Sequence, residues 1–154
     1  MLVILLDMFG AQLRTLELAR SLHSLDADYL VPALHRCHTL QEIGYSVNIT
    51  LPPRHNITMG AVNDSVRVVR LQGTLALANS LVNWGDLEAH FRFLAGPALP
   101  ALQTVVLYPS HGIWDEIMGD QRFPPLGRAL RGRGCVLQRA DGEPVLAFDL
   151  STSS

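Results

Sequence analysis

The sequence predicts an α/β fold, a three-layer sandwich around a mostly parallel sheet, and three observations lead to this class. Short continuous apolar runs are typical of strands that are buried on both faces of a parallel sheet. Stretches in which apolar residues recur at helical spacing lie between these runs. The predicted order is strand, helix, strand, helix, strand, helix and strand, and this alternation favours parallel strands joined by helices on both faces.

The first half of the chain contains three predicted strands and two predicted helices. The apolar run at residues 2–6 predicts a buried strand, and apolar spacing after Gly10 predicts a helix of roughly fifteen residues. A second helix is predicted over residues 29–43. Strands are predicted at residues 46–51 and at residues 65–71, where valines and leucines crowd together.

The second half continues the alternation. Asp86 is a suitable N-cap for a helix that Gly96-Pro97 ends, and residues 104–108 form another apolar run that predicts a strand. A helix marked by Phe123, Leu126 and Leu130 follows. Residues 135–138 and 144–148 predict two further strands. With no internal repeat, linker or low-complexity tract detected, residues 1–154 are expected to form a single domain.

Composition restricts the classes of function. Apolar residues make up 48% of the 154 residues and charged residues 17%, which is typical of a packed domain and not of disorder. The net charge of −2 gives no reason to expect a nucleic-acid partner. All twelve basic residues are arginine, so no lysine can serve as a Schiff base or a general base. The apolar opening is too short to span a membrane.

Metal and cofactor sites are not expected. His35, Cys37 and His38 lie close together, but zinc sites usually need further ligands at defined spacing, and the sequence has no second cluster. Asn48, Asn56 and Asn63 each begin a glycosylation sequon, which matters only if the chain enters the secretory pathway. No targeting signal is recognised in the sequence, so the sequence does not indicate a cellular compartment.

Three segments follow apolar runs directly and are the candidate sites. They are residues 7–10, residues 72–74 and residues 110–115, and each carries glycine or polar side chains. In open parallel sheets, ligands bind beyond the carboxyl ends of the strands. These segments are therefore expected to meet at one edge of the sheet.

Taken together, the segments resemble the SGNH hydrolase superfamily, especially its PC-esterase branch of trichome-birefringence-like glycan O-acetyl transferases and esterases. In that branch the first strand ends in Gly-Asp-Ser, and the apolar run before Asp7 and Met8 is similar to it. Gly73 stands where the family places an oxyanion-hole glycine. Residues 112–115, Gly-Ile-Trp-Asp, resemble a later Gly-x-Trp-Asp block.

The resemblance implies an SGNH/flavodoxin-like fold that moves or removes acetyl groups on a glycan or another acylated small molecule, without a cofactor. Secretory-pathway localisation would follow. It implies that the catalytic strand end is at Asp7, with Met8 at the position of the nucleophilic serine, and that the binding or oxyanion residues are Gly73, Gly112, Trp114 and Asp115.

The chain departs from the family pattern at the residues that carry catalysis. Met8 replaces the serine, and the family's Asp-x-x-His, expected after residues 145–150, does not occur. A serine nucleophile needs a base and an orienting group within hydrogen-bond reach. The sequence is therefore expected to be a fragment or a non-catalytic copy.

Two alternatives remain open. The first is a binding or regulatory α/β module that uses the same sheet edge for a partner, for example one related to anti-sigma-factor antagonists (STAS domains). The second is a haloacid-dehalogenase-like phosphohydrolase, in which Asp7 would be the nucleophile, although no later acidic pair supports it.

Overall fold

The computed structural model describes residues 2–18, 29–47, 50–53, 60–73, 84–109 and 112–145. These residues form α-helices and strands joined by short connections, with a 3₁₀ turn at Gly10–Gln12. In chain order the helices and strands are α1 (Leu2–Phe9), β1 (Thr15–Leu18), α2 (Leu30–Arg36), β2 (Glu42–Ser46), β3 (Val68–Gln72), α3 (Trp84–Ala95), β4 (Thr104–Tyr108), α4 (Ile113–Gly119), α5 (Phe123–Gly132) and β5 (Val136–Arg139).

The five strands form one parallel sheet, which confirms the predicted α/β class. Their order across the sheet is the order along the chain, β1-β2-β3-β4-β5. Each crossover therefore steps in the same direction. Because parallel crossovers are almost always right-handed, successive steps in one direction place their connecting helices on the same face of the sheet.

The burial of the strand residues agrees with this topology. Alternate residues of the strands point into the core and form two rows across the sheet, and nearly all of them are buried. The helices pack on this face, since their buried side chains join the same core cluster. Val68, Val106 and Val136 point the other way and do not belong to that cluster. Where the sequence led us to expect helices on both faces, the described helices cover one.

The first four strands share an apolar spacing that the sequence analysis did not detect. An apolar residue lies two positions before the start of each strand, and two apolar strand residues follow it three and five positions later. These triplets all contribute to the core: Leu13, Leu16 and Leu18; Leu40, Ile43 and Tyr45; Val66, Val69 and Leu71; and Leu102, Val105 and Leu107.

We call each triplet with its strand a unit, and neighbouring units are joined by the same pair of backbone hydrogen bonds. The carbonyl of Arg14 accepts the N–H groups of Gln41 and Glu42 at 2.8 and 3.0 Å. The carbonyl of Gln41 accepts those of Arg67 and Val68 at 2.8 and 3.1 Å, and the carbonyl of Arg67 accepts those of Gln103 and Thr104 at 2.9 and 3.1 Å. Each unit thus fixes the next by an equivalent backbone contact, as in repeat proteins whose units contact only their neighbours.

Two predictions in the first half of the chain are wrong. Residues 2–6 form part of α1 and not a strand, because a short apolar run without alternation is compatible with either structure. The helix predicted after Gly10 is interrupted by β1, although Leu13 and Leu16 stand three residues apart, a spacing that also suits a helix. Residues 19–28 of that predicted helix lie outside the described part of the chain.

The next two elements are displaced. The helix predicted over residues 29–43 ends at Arg36. The following strand is β2, at Glu42–Ser46, and not residues 46–51. β2 pairs with β1 and β3 on its two sides, and Ile43 and Tyr45, which are two positions apart, share the core face of this strand.

From residue 65 onwards the structure follows the predictions closely. The structure confirms the strands near residues 65–71, 104–108 and 135–138 and the helices ending at Gly96 and Gly132. Helix α4 was not predicted. Of the last predicted strand, residues 144–148, Pro144 forms a single antiparallel bridge to Gln138, and residues 146–148 lie outside the described part.

Candidate functional site

Asp7 and Met8 lie on helix α1 and not at the end of a strand. Both side chains are exposed, and Asp7 Oδ1 lies 2.6 Å from Arg36 Nε of α2. An Asp at a strand end can face a substrate beyond the sheet. Here the Asp7 carboxylate forms an ion pair that joins α1 to α2. Neither the SGNH nor the dehalogenase hypothesis gains support from this position, and both stay predictions.

The other predicted site residues do meet, at the carboxyl ends of β3 and β4. The N–H of Gly73 and the indole Nε1–H of Trp114 both donate to the carbonyl of Tyr108, at 2.9 and 3.0 Å. Trp114 is fully buried. A Cβ on Gly73 would lie 2.7 Å from Ile113 Cγ2, so only glycine allows α4 to approach β3 this closely.

Gly112 and Asp115 complete this cluster and fix the start of α4. Gly112 has a φ of +93°, a conformation that glycine adopts readily, and its N–H donates to Asp115 Oδ2 at 2.9 Å. The carboxylate of Asp115 also binds Arg139, with Oδ1 at 2.7 Å from Nη1. Asp115 thereby links α4 to the last strand.

The N–H groups of Gly73 and Gly112 donate to other groups of the chain and are not free to bind a substrate oxygen. An oxyanion hole needs N–H groups aimed at the place where substrate charge develops. The Gly73 N–H points instead at the Tyr108 carbonyl, and the Gly112 N–H points at a carboxylate. The sequence was therefore right that these residues converge, and their described contacts are structural. Ser110 and His111 lie outside the described residues.

The sequence analysis did not select His90, a buried histidine of α3 whose side chain faces β2. His90 Nε2 lies 2.9 Å from the carbonyl of Thr50, and Nδ1 lies 3.4 Å from the hydroxyl of Tyr45. Since a carbonyl only accepts, Nε2 carries the proton and Nδ1 accepts from the tyrosine. Burial raises the pKa of Tyr45, so its hydroxyl remains a donor. Both nitrogens of the neutral ring are thus satisfied.

The stability of the chain is expected to depend on pH through His90. Burial lowers the pKa of His90 to about 4 from 6.5, against the opposing hydrogen bond to Thr50. Between these values the unfolded chain binds more protons than the folded one, so stability falls as the pH drops from 6.5 towards 4. The loss should approach roughly 3 kcal/mol. Urea denaturation at a series of pH values measures it.

Two variants isolate the contribution of His90 from that of the carboxylates. His90→Gln can still donate to Thr50 but cannot become charged, so its unfolding free energy should lose the part of the pH dependence that His90 causes. His38→Gln, at an exposed position, is the control for the loss of a histidine, and at pH 7 it should change the unfolding free energy by less than about 0.5 kcal/mol. Parallel curves for the wild type and His90→Gln would contradict the assignment.

The two cysteines do not pair. Cys37 and Cys135 are both free and buried, as expected for independent core residues. Burial raises the pKa of both thiols, which disfavours the reactive thiolate. Neither cysteine is therefore a good nucleophile in the folded chain.

The face of the sheet that points away from the described helices is unusual because none of those helices covers it. All-parallel sheets are normally covered on both faces. We call the following side chains, which are exposed or half-buried on that side, the open face: Thr15, Glu17, Glu42, Val68, Arg70, Thr104, Val106, Tyr108, Val136 and Gln138.

Charge is unevenly distributed over the open face. Glu17 lies across Gly44 of the neighbouring strand, where the absence of a side chain leaves room for it. Glu42 Oε1 binds Arg70 Nη1 at 3.3 Å, and the Arg70 guanidinium lies 5.9 Å from the centre of the Tyr108 ring. The β1–β2 side is thus acidic, whereas the β4–β5 side presents valine and tyrosine.

No family model, curated protein or solved structure matches this chain. Within the described ranges, no group of three or more His, Cys, Asp and Glu side chains is placed to hold a metal ion. Nor does any helix in those ranges combine the length and hydropathy needed to cross a bilayer. Function must therefore be argued from the surfaces of the chain itself.

Proposed function

We propose that this chain is a binding module that presents the open face of its parallel sheet to a protein partner. The observation that carries the proposal is that a five-stranded parallel sheet leaves one face without helices in the described part of the chain, while its other face is almost wholly buried. Covering both faces is the usual state of such a sheet. A partner surface would supply the missing layer.

The repeated units support the same proposal. The strands, with apolar residues spaced as in Leu13, Leu16 and Leu18 and with a described helix after β1, β3 and β4, resemble leucine-rich repeats. Arrays of this kind build extended surfaces from their successive strands and use them for binding. A binding role also accounts for residues such as Arg70 and Tyr108, which lie on strands yet contribute nothing to the core.

The side chains of the open face indicate the chemistry of the partner. Tyrosine and arginine are the residue types that most often dominate the energy of protein interfaces, and Tyr108 remains 44% exposed beside Arg70. Glu17 lies on the opposite side of this face. We therefore expect a partner segment with apolar side chains over β4 and β5 and a basic side chain near Glu17.

A photo-crosslinking amino acid at position 108 tests the proposal, with the same amino acid at Arg128 of α5 as the control. Arg128 is exposed on the helical layer. In extracts of the source cells, a partner should be captured from position 108 and not from position 128. Tyr108→Ala should then weaken binding of the purified partner by on the order of tenfold or more, and Arg128→Ala should not. Equal capture from both positions would contradict the proposal.

The acyl-transfer hypothesis makes a different prediction in the same preparation. Hydrolysis of an aryl acetate that is lost in Asp7→Asn would favour an esterase. In the described residues Asp7 contacts Arg36, His90 contacts Tyr45 and Thr50, and no hydrogen bond joins a serine to a histidine as a catalytic trio would require. The geometry therefore favours the binding module.

A further inference from the structure

Helix α1 carries a second unusual surface, at the end of the chain's helical layer. Its large apolar side chains are mostly exposed: Ile4 is 63% and Met8 64% exposed, and Val3, Leu5 and Phe9 are also exposed. Single exposed apolar residues are common, but a contiguous apolar group on one helix marks an interaction site. Only Leu6 of this helix is buried.

The orientation of α1 turns this apolar group away from the rest of the molecule. Asp7 faces α2, because it binds Arg36 there. On a helix, Leu5 and Phe9 are one turn apart on the same side, and each is two residues from Asp7, which places that side opposite the one that faces α2. Leu5 and Phe9 therefore point towards the outer end of the helical layer, whereas Ile4 and Met8 lie opposite Leu6 and point away from the core.

The sheet is also open at this end. In a parallel ladder, alternate residues bond to opposite neighbours, and Glu42 pairs with Thr15 through the Arg14 carbonyl. The N–H and C=O groups of Thr15 and Glu17 consequently point away from β2. Within the described ranges, β1 has a strand on one side only.

The opposite end of the sheet is closed. The N–H of Arg139 donates to the carbonyl of Glu143 at 2.8 Å, and the N–H of Val145 donates to that of Leu137 at 2.9 Å. This antiparallel return occupies the outer edge of β5. A head-to-tail chain of copies, which would join β5 of one copy to β1 of the next, is therefore blocked.

We propose that the surface formed by α1 and the outer edge of β1 binds a second copy of this chain across a two-fold axis perpendicular to the sheet. Such an axis pairs β1 with β1 in antiparallel orientation and places α1 beside α1 in the same layer. One surface then serves as both halves of the interface, and the blocked edge of β5 stops the assembly at two copies.

Charge is compatible with this arrangement. Pairing Leu16 with Leu16 of the second copy places Thr15 opposite Glu17 of that copy, which keeps the two Glu17 carboxylates from facing each other directly. The net charge of −2 also leaves little long-range repulsion between copies. The inference does not depend on the proposed function, since the open face and this end surface share only strand β1.

Light scattering coupled to size exclusion, across a dilution series of the full chain, tests the proposal. The wild type should be dimeric at high concentration. Leu5→Asp and Phe9→Asp should each weaken association by on the order of ten- to hundredfold, because each removes a buried apolar contact and buries a charge. Val136→Asp is the control, since Val136 is 50% exposed but lies on β5.

Backbone amide exchange provides a second readout that does not rely on a variant. The amides of Thr15 and Glu17 should become slower to exchange as the concentration rises, because dimerisation gives them acceptors. A monomer at every concentration would overturn the proposal, as would a dimer that Val136→Asp disrupts and Leu5→Asp leaves intact. Circular dichroism verifies that each variant is folded.

Discussion

Replacement of Trp114 by alanine is expected to lower the free energy of unfolding by roughly 3 to 5 kcal/mol. Trp114 is fully buried in the core, and its indole N–H donates to the carbonyl of Tyr108. Alanine would leave a cavity beneath α4 and remove one of the two donors that hold the end of β4. Since a domain of this size is stable by only about 5 to 15 kcal/mol, the loss is large.

Chemical denaturation followed by far-ultraviolet circular dichroism measures this loss without relying on tryptophan fluorescence. Trp84 supplies a matched control, because it is only partly buried and lies under the guanidinium of Arg122 at 4.1 Å. Trp84→Ala should cost about 1 to 2 kcal/mol. If Trp114→Ala costs no more than Trp84→Ala, then Trp114 does not hold the fold and a ligand-binding role regains support.

Replacement of Asn63 by alanine is expected to cost roughly 3 to 5 kcal/mol, because it breaks a fully used set of hydrogen bonds. Asn63 is buried, and its Nδ2 donates to the carbonyls of Leu34 and Cys37, both at 2.9 Å. Its Oδ1 accepts from the N–H groups of Ser65 and Val66 at 2.9 and 3.1 Å. The side chain thus joins the end of α2 to the start of β3.

The neighbouring exposed residue gives the control for this variant. Asp64→Ala should change the free energy of unfolding by less than about 0.5 kcal/mol. Equal losses in the two variants would contradict the account. The same contacts bear on the sequon at Asn63: a glycan on Nδ2 would take one of its two N–H groups, so mass spectrometry should find this asparagine unmodified in the folded chain.

A segment was predicted correctly where the spacing of its apolar residues fits only a helix or only a strand. Residues 104–108 and 123–132 favour a single structure, and their predicted bounds agree with β4 and α5. Residues 2–6 are apolar at every position, so no period distinguishes strand from helix. Because residues 2–6 were predicted as a strand, Asp7 and Met8 were expected at a strand end, and the SGNH resemblance used that position.

The candidate site was predictable in part. The rule that loops at the carboxyl ends of parallel strands converge correctly brought Gly73 together with Ile113 and Trp114. It could not show that Trp114 and Asp115 would use their polar groups on Tyr108 and Arg139, because these partners are distant in sequence. His90 was missed because its position on a helix with apolar neighbours gives no sign of the Tyr45 and Thr50 contacts.

The sequence by itself determined the α/β class, most of the strands and helices of the second half, and the exclusion of lysine chemistry. The tertiary structure alone decided the order of the strands, and with it the open face. Strand order depends on which backbone edges pair, and a residue such as Arg70 looks the same in the sequence whether its side of the sheet is covered or exposed. The recurring carbonyl contacts at Arg14, Gln41 and Arg67 decide that pairing, and they became visible only once the chain was folded.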